Sequence, residues 1–223
     1  MIRLDSVTYS VSHGSDTIVI LRGVDLHVNP GEVVGLMGPS GSGKSSLLSL
    51  LAGVERPVSG RVEVDGLDLG AQDPDRLARF RRERLGMVFQ AFHLLPFLTA
   101  LENVALPLEL SAIPDARDRA REMLEQVGLA HRLRHRPVHL SGGEQQRVAI
   151  ARAFVTRPVL ILADELTGNL DRQTSVRVVE LLFGLVAQWG TTMLLVTHDQ
   201  ELARRTQRCL RLENGVITSS GFS

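Results

Sequence analysis

Residues 38–46 carry the sequence Gly38-Pro39-Ser40-Gly41-Ser42-Gly43-Lys44-Ser45-Ser46. An apolar run at 33–37, typical of a buried parallel strand, precedes it, and the leucine-rich segment 44–54 that follows favours a buried helix. A glycine-rich turn between such elements directs backbone N–H groups and the helix dipole at a phosphate. Lys44 then suits the β- and γ-phosphates, and the Ser45 hydroxyl suits Mg²⁺. The pattern predicts a nucleotide site. The alternative, a flexible Gly/Ser turn, is disfavoured because the lysine, the hydroxyl and both flanking segments agree.

Composition limits the classes of protein to which the chain can belong. Its 223 residues suffice for one sizeable core with a small appended subdomain. Lys+Arg and Asp+Glu number 25 each, so we interpret the arginine-rich helix predicted at 75–84 as a solvated face and expect no nucleic-acid partner. The single cysteine, Cys209, excludes an internal disulfide. No signal-peptide layout or membrane-spanning apolar run is present, so we expect a cytoplasmic protein that works on a membrane only through a partner.

The pattern of strands and helices predicts an α/β fold. Short segments of alternating polarity around the first strand–loop–helix unit predict an antiparallel β layer, and apolar runs elsewhere predict a core of buried parallel strands. The alternating segments are 2–9, 24–28 and 61–66; the apolar runs are 85–90, 159–163 and 193–196. Strand patterning is nearly lost between 91 and 157 and is replaced by helical spacing. We predict a single domain, 1–223, whose core (1–90 and 158–223) is interrupted by an all-helical subdomain at 91–157.

A second motif, Leu-Ser-Gly-Gly-Glu-Gln-Gln-Arg at 140–147, identifies a family. With the phosphate loop and Asp164-Glu165 after an apolar run, it forms an ordered set similar to the ATP-binding subunits of ABC transporters, over essentially the whole chain. Segments 89–96 and 167–171 resemble the subclass that contains LolD, MacB and FtsE. Segments 170–174 and 209–212 are most similar to its YbbA-like branch. The resemblance implies the P-loop NTPase (RecA-like) fold and ATP with Mg²⁺ as cofactors.

The 141–144 segment supports two interpretations that do not conflict. Ser141 and Glu144 have the Ser-x-x-Glu spacing of a helix capping box. A capped helix N-terminus fronted by Gly142 and Gly143 is also an anion site. In the resembled family it faces ATP bound by the other subunit, and Asp171 lies across the same interface. The resemblance therefore implies a homodimer around two ATP molecules, closed by two-fold symmetry.

Hydrolysis of the γ-phosphate requires charge neutralisation and an oriented water. Lys44 and Mg²⁺ on Ser45 provide the neutralisation. Asp164, at the carboxyl end of a buried strand, suits the metal, with a helix N-cap as the alternative. The resemblance implies that Glu165 polarises the water and that His198 hydrogen-bonds the γ-phosphate.

The interpretation of three further residues depends mainly on the family resemblance. Gln90 ends a strand, and the resemblance implies that its side-chain amide ligates Mg²⁺ or the attacking water. Through this contact Gln90 would link catalysis to the helical subdomain. The resemblance implies that Tyr9, the only tyrosine, stacks on adenine; the alternative is that Tyr9 is an ordinary strand residue without this role. Leu166 stands where the family usually has proline; leucine loosens the turn or alters the rate, but we expect activity to be retained.

The family resemblance also implies a membrane partner. The apolar segment 92–106 would receive a cytoplasmic helix of a MacB/LolCE-like permease with few membrane spans, on the inner face of the cell membrane. The expected function is then export or extraction of lipid-linked or amphipathic cargo.

Three alternatives are disfavoured. A soluble ABC-type ATPase acting on ribosomes or DNA usually has two cassettes or a coiled-coil insertion. A P-loop kinase leaves the 140–147 motif unexplained. A metal site formed by the histidines at 131, 135 and 139 needs a continuous helix, which Pro137 breaks.

Overall fold

The computed structural model describes residues 1–14 and 16–220, which divide into two compact units. The first unit contains Met1–Arg81 and Thr192–Ser223, and the second contains Arg82–Thr191. The segment 91–157, for which a helical subdomain is predicted, belongs to the second unit together with two strands. The domain boundaries at 91 and 157 stay a prediction.

The described residues form ten strands and seven α-helices, with short 3₁₀ turns between some of them. The strands are β1 (Ile2–His13), β2 (Asp16–Val28), β3 (Val33–Met37), β4 (Ser59–Val64), β5 (Leu67–Asp68), β6 (Leu85–Phe89), β7 (Leu160–Asp164), β8 (Thr192–Val196), β9 (Arg208–Glu213) and β10 (Val216–Ser220). The helices are α1 (Lys44–Leu51), α2 (Pro74–Glu83), α3 (Ala100–Leu110), α4 (Ala116–Gln126), α5 (Gly142–Phe154), α6 (Arg172–Trp189) and α7 (Gln200–Ala203).

An antiparallel layer of the first unit has the strand order β2-β1-β4-β5. Ile2 is paired with Val28 on one side and with Val64 on the other, and all three side chains are fully buried. The alternating polarity of these segments accounts for this arrangement, because a half-buried strand points successive side chains to opposite faces. The predicted antiparallel β layer is confirmed.

A parallel ladder of the first unit is centred on β3, which pairs with β8 and with β9. Strands β3 and β8 are almost wholly buried, as their continuous apolar runs predict. Leu36 is in register with Val196, so the segments that follow β3 and β8 begin at the same edge of the ladder, where the carboxyl ends of the strands lie. Helix α1 buries Leu47, Leu48, Leu50 and Leu51. It is shorter than the predicted 44–54, because Gly53 takes a left-handed φ of 60°.

The second unit pairs β6 and β7 in parallel, with Phe89 opposite Asp164. Helix α5 packs closely on this pair: a Cβ at Gly86 would lie 2.5 Å from the Ala153 carbonyl oxygen. Residues 91–157 contain α3, α4, α5 and 3₁₀ turns and no strand, as the helical spacing predicts. Among residues 1–14 and 16–220, no helix has the length and apolar character required to cross a bilayer.

Candidate functional site

The loop at 38–46 has the geometry of a phosphate-binding turn. A Cβ on Gly38 would lie 2.2 Å from the carbonyl oxygen of Leu212, so only glycine fits there. Gly43 caps α1 with a φ of 104°, in the left-handed region that glycine tolerates. The Lys44 ammonium donates hydrogen bonds to the carbonyl oxygens of Gly38 (2.9 Å) and Pro39 (2.8 Å). The lysine side chain therefore folds back along the loop.

Two observations show that this loop fits a phosphate. The first turn of α1 contains no acidic residue, so the positive end of its dipole is not neutralised from within the turn. The Ser42 hydroxyl is buried and has no hydrogen-bond partner among the described residues. A buried hydroxyl without a partner is costly unless a ligand supplies one. Ser45 is exposed in the first turn of α1.

His198 follows β8 at the edge from which the phosphate loop leaves β3. Leu36 and Val196 are paired, and Gly38 and His198 each come two residues later. His198 is exposed. The sequence pattern and the strand register therefore agree in placing this histidine beside the loop within the first unit.

Tyr9 lies on β1 and only 7 % of it is exposed. Burial raises the pKa of its hydroxyl, and the nearby Glu55 carboxylate raises it further. The apolar side chains that are exposed on this hairpin are those of Val11 and Ile18, which face each other across β1 and β2. Adenine stacking by Tyr9 stays a prediction, with little of the ring at the surface to support it.

In the second unit, Gln90, Asp164 and Glu165 meet at one edge of the β6–β7 pair. Phe89 is in register with Asp164, so Gln90 and Glu165 leave the two strands side by side. Glu165 has a φ of 46°, a conformation that costs about 1–2 kcal/mol for a residue with a Cβ. Such strain is often found at functional sites. Leu166, which replaces the expected proline, is buried at 1 % exposure.

The residues predicted to ligate Mg²⁺ are of the type that this ion requires. Ser45 offers a hydroxyl oxygen, Gln90 an amide oxygen and Asp164 a carboxylate oxygen, all hard donors. Their chemistry fits Mg²⁺, which prefers one or two carboxylates together with substrate phosphates.

Helix α5 holds the backbone on both sides of Gln90. Gln146, which is fully buried, donates to the Phe89 carbonyl oxygen at 3.4 Å. Arg152 donates to the carbonyl oxygens of Phe92 (3.0 Å) and His93 (2.6 Å). Phe92 and His93 have φ values of 56° and 50°, and these hydrogen bonds stabilise that unfavourable backbone. No local sequence pattern indicates these contacts of Gln146 and Arg152, because both join residues about sixty positions apart.

The predicted capping box at the start of α5 is confirmed. The Ser141 hydroxyl accepts from the Glu144 N–H at 3.3 Å, and the Glu144 carboxylate accepts from the Ser141 N–H at 2.8 Å. Arg132 donates to the other carboxylate oxygen at 2.8 Å. Burial on its own would raise the pKa of Glu144, but the hydrogen bonds from Ser141 and Arg132 outweigh it and lower that pKa to about 2. The ion pair between Arg132 and Glu144 therefore stabilises the capping box.

The glycines of this motif allow close packing. A Cβ on Gly143 would lie 2.3 Å from the Thr174 methyl carbon, so α5 and α6 approach each other only because Gly143 lacks one. Asp171 caps α6, and its carboxylate accepts from the Thr174 N–H at 3.0 Å. Hydrogen bonding to the Thr174 side chain and then to its backbone lowers the pKa of Asp171. The structure thus brings the 141–144 segment and Asp171 together within the second unit.

The comparisons with known proteins agree with this geometry. A family model described as ABC transporter matches residues 21–168. An uncharacterized ABC transporter ATP-binding protein, YbbA of Escherichia coli K12, is 51 % identical over 93 % of this chain and 92 % of its own length. The lipoprotein-releasing system ATP-binding protein LolD 1 of Rhodospirillum rubrum is 47 % identical over 98 % of each chain.

A solved structure gives the same result for the fold. The ATP-binding cassette MJ0796, in a dimeric post-hydrolysis state bound to ADP and Pi, has a TM-score of 0.90 and 41 % identity over the whole of both chains. The predicted α/β fold and the family resemblance are therefore confirmed. The chain belongs to the ATP-binding subunits of ABC transporters, of the LolD and YbbA type, and is an ATPase.

Proposed function

We propose that the chain is the motor of a transporter that extracts or exports lipid-linked or amphipathic cargo. The observation that carries this proposal is the 47 % identity to LolD 1, a lipoprotein-releasing system protein, over 98 % of each chain. This similarity extends over nearly the whole length, so it is not confined to the nucleotide motifs. In this proposal ATP binding closes a dimer, and hydrolysis reopens it.

The proposed chemistry assigns a role to each residue of the nucleotide motifs. Lys44 contacts the β- and γ-phosphates, and the backbone N–H groups of the 38–46 loop surround them. Ser45, Gln90 and Asp164 ligate Mg²⁺, which supplies charge neutralisation when bound. Glu165 accepts a hydrogen bond from the attacking water and orients it.

The remaining roles concern the γ-phosphate and the second subunit. His198 donates a hydrogen bond to the γ-phosphate. The 141–144 segment of one subunit faces the ATP of the other, and Asp171 lies at the same interface. The dimeric state of MJ0796 supports this arrangement, because the fold match extends over 100 % of both chains. A two-fold pairing closes the assembly with two equivalent composite sites.

The proposed permease contact lies on the second unit. Within the apolar segment 92–106, Phe97 is 65 % exposed, and Leu110 at the end of α3 is also 65 % exposed. Single exposed apolar side chains are common on protein surfaces, so what supports the assignment is that these two lie in, or just after, the apolar segment that follows Gln90. We assign them to a cytoplasmic helix of a permease with few membrane spans, which would hold the motor on the inner face of the cell membrane.

The test is to isolate the tagged chain from detergent-solubilised membranes of its native host and to identify the co-purifying proteins. We expect a permease with few spans and a large extracytoplasmic domain. Phe97→Ala should reduce its recovery while leaving the ATPase rate of the isolated chain unchanged. Val58→Ala, which removes an equally exposed apolar side chain (67 %) from the first unit, is the matched control. Co-purification with ribosomes or nucleic acid, without a permease, would refute the transport proposal and leave the ATPase identity intact.

A further inference from the structure

The side chains of Gln90 and Asn169 form a reciprocal pair. The Gln90 Nε2 donates to the Asn169 Oδ1 at 3.2 Å, and the Asn169 Nδ2 donates to the backbone carbonyl oxygen of Gln90 at 3.0 Å. Gln90 follows β6, and Asn169 lies in the loop between β7 and α6. A single asparagine therefore contacts both the main chain and the side chain of the residue assigned to Mg²⁺ or the attacking water.

The backbone carbonyl fixes the orientation of both amides. A carbonyl oxygen only accepts hydrogen bonds, so the Asn169 atom that faces it must be the nitrogen. The Asn169 oxygen then faces Gln90 and accepts from its Nε2. Gln90 consequently has its nitrogen engaged with the loop, and its Oε1 is the atom left for a metal ion or a water. An oxygen is the donor that Mg²⁺ requires.

The packing of Gly168 independently constrains the same side chain. A Cβ on Gly168 would lie 2.5 Å from the Gln90 Nε2, 2.8 Å from its Cδ and 3.2 Å from its Cγ. The Gln90 side chain therefore lies flat on Gly168 before it reaches Asn169. A Cβ on Gly142 would be 3.4 Å from Leu170 and 4.0 Å from the Asn169 carbonyl oxygen. The loop at 167–170 is thus close to Gln90 and also to Gly142 at the start of α5.

We infer that Asn169 is a positioning residue for Gln90: it holds the Gln90 carboxamide with Oε1 presented to the Mg²⁺ or the water. The inference rests on the proposed role of Gln90 and adds to it the residue that sets the orientation. The same loop lies next to Gly142, since a Cβ added there would be within 3.4–4.0 Å of Leu170 and Asn169. The pair therefore joins the end of β6 to a loop that is adjacent to the 141–144 segment.

A double-mutant cycle tests whether Asn169 acts through Gln90. We expect Asn169→Ala to lower kcat by about 3- to 10-fold, the value of one or two hydrogen bonds, with the KM for ATP changed by less than about twofold. In a Gln90→Ala background the same substitution should have no further effect, because the side chain that it orients is gone. Asn169→Asp has almost the same size, but it places a carboxylate oxygen opposite the Gln90 carbonyl oxygen, and because two acceptors repel each other the pair with Gln90 is lost. It should therefore resemble Asn169→Ala, whereas a packing role predicts near-normal activity.

A second measurement does not depend on activity. In a nitrogen-15 spectrum of the nucleotide-free chain, the Gln90 side-chain NH₂ signals are assigned by their loss in Gln90→Ala. We expect slow hydrogen exchange of these protons, and a shift with faster exchange in Asn169→Asp. Gln188→Ala, which removes an exposed amide near the end of α6, is the control and should leave these signals unchanged.

The outcomes separate this inference from the proposed function. If Gln90→Ala hydrolyses ATP at the normal rate, the role of Gln90 is wrong and the inference falls with it. If Gln90→Ala is impaired but Asn169→Ala lowers kcat equally in both backgrounds, Gln90 keeps its role and the positioning by Asn169 is refuted. Gln90 NH₂ signals that are unaffected by Asn169→Asp would also refute it.

Discussion

Replacing Glu144 with glutamine tests how far the capping box at the start of α5 depends on charge. Glutamine keeps the shape of the side chain and still serves in a capping box, so the hydrogen bonds with Ser141 are retained. The substitution removes the negative charge, which Arg132 contacts at 2.8 Å. The variant therefore approximates the protonated form of Glu144.

The magnitude follows from the pKa of Glu144. Its lowering from 4.5 to about 2 corresponds, at about 1.4 kcal/mol per pH unit, to about 3 kcal/mol between the ionised and protonated forms. The Glu144 side chain is 12 % exposed and that of Arg132 is 35 % exposed. Solvent therefore screens the ion pair, and its contribution to stability is smaller than this difference between the two forms. We expect Glu144→Gln to lower the free energy of unfolding by about 2 kcal/mol at neutral pH.

The pH dependence has a definite sign. The pKa of the folded state is lower than that of the unfolded state, so the stabilisation is fully present above about pH 4.5 and is lost as the pH falls toward 2. Urea denaturation of the wild type and of Glu144→Gln, at neutral pH and between pH 5 and 3, measures the difference. A difference below about 0.5 kcal/mol at neutral pH, or one that does not shrink between pH 4.5 and 3, would refute the reasoning.

Three further substitutions test other parts of the site. Glu165→Gln should bind ATP and dimerise but hydrolyse it at least about 100-fold more slowly in a phosphate-release assay, because the water is no longer polarised; near-normal turnover would show that Glu165 is not the base. Lys44→Ala should abolish nucleotide binding in calorimetry, since it removes the ammonium that lies along the loop; normal affinity would contradict the phosphate-loop assignment. Gly143→Ala should cost about 1–3 kcal/mol of stability, because its Cβ would lie 2.3 Å from the Thr174 methyl carbon, and Thr174→Ser should restore most of it; a lack of rescue would mean that another contact limits this position.

The sequence predicted the features whose signals are local. The phosphate loop, the capping box and the ends of the buried strands each depend on residues within a few positions of one another, and each is found in the structure. The register of β3 with β8 then places His198 beside the loop without further information. Local spacing is informative here because backbone geometry alone determines where such residues point.

The features that the sequence did not predict depend on packing between distant segments. The Gln90–Asn169 pair spans 79 positions, and Arg152 reaches residues 59 and 60 positions away. Nothing in the local pattern of a single sequence specifies such contacts. The burial of Tyr9 is similar: strand alternation predicts that one face is covered, but Glu55 comes near the hydroxyl only in the folded chain.

The start of α5 combines features that stabilise the helix with features that suit the phosphate contact proposed for it. A helix leaves its first four N–H groups without intrahelical partners. At α5 the capping box occupies two of them, those of Ser141 and Glu144. The other two belong to Gly142 and Gly143, where no side chain shields the N–H groups from an approaching phosphate. The ion pair with Arg132 stabilises the box without using either glycine N–H. In the proposed dimer, these two glycine N–H groups would contact a phosphate of the ATP that the partner subunit holds. That contact would not compete with the capping box, so the segment can be rigid before the dimer closes.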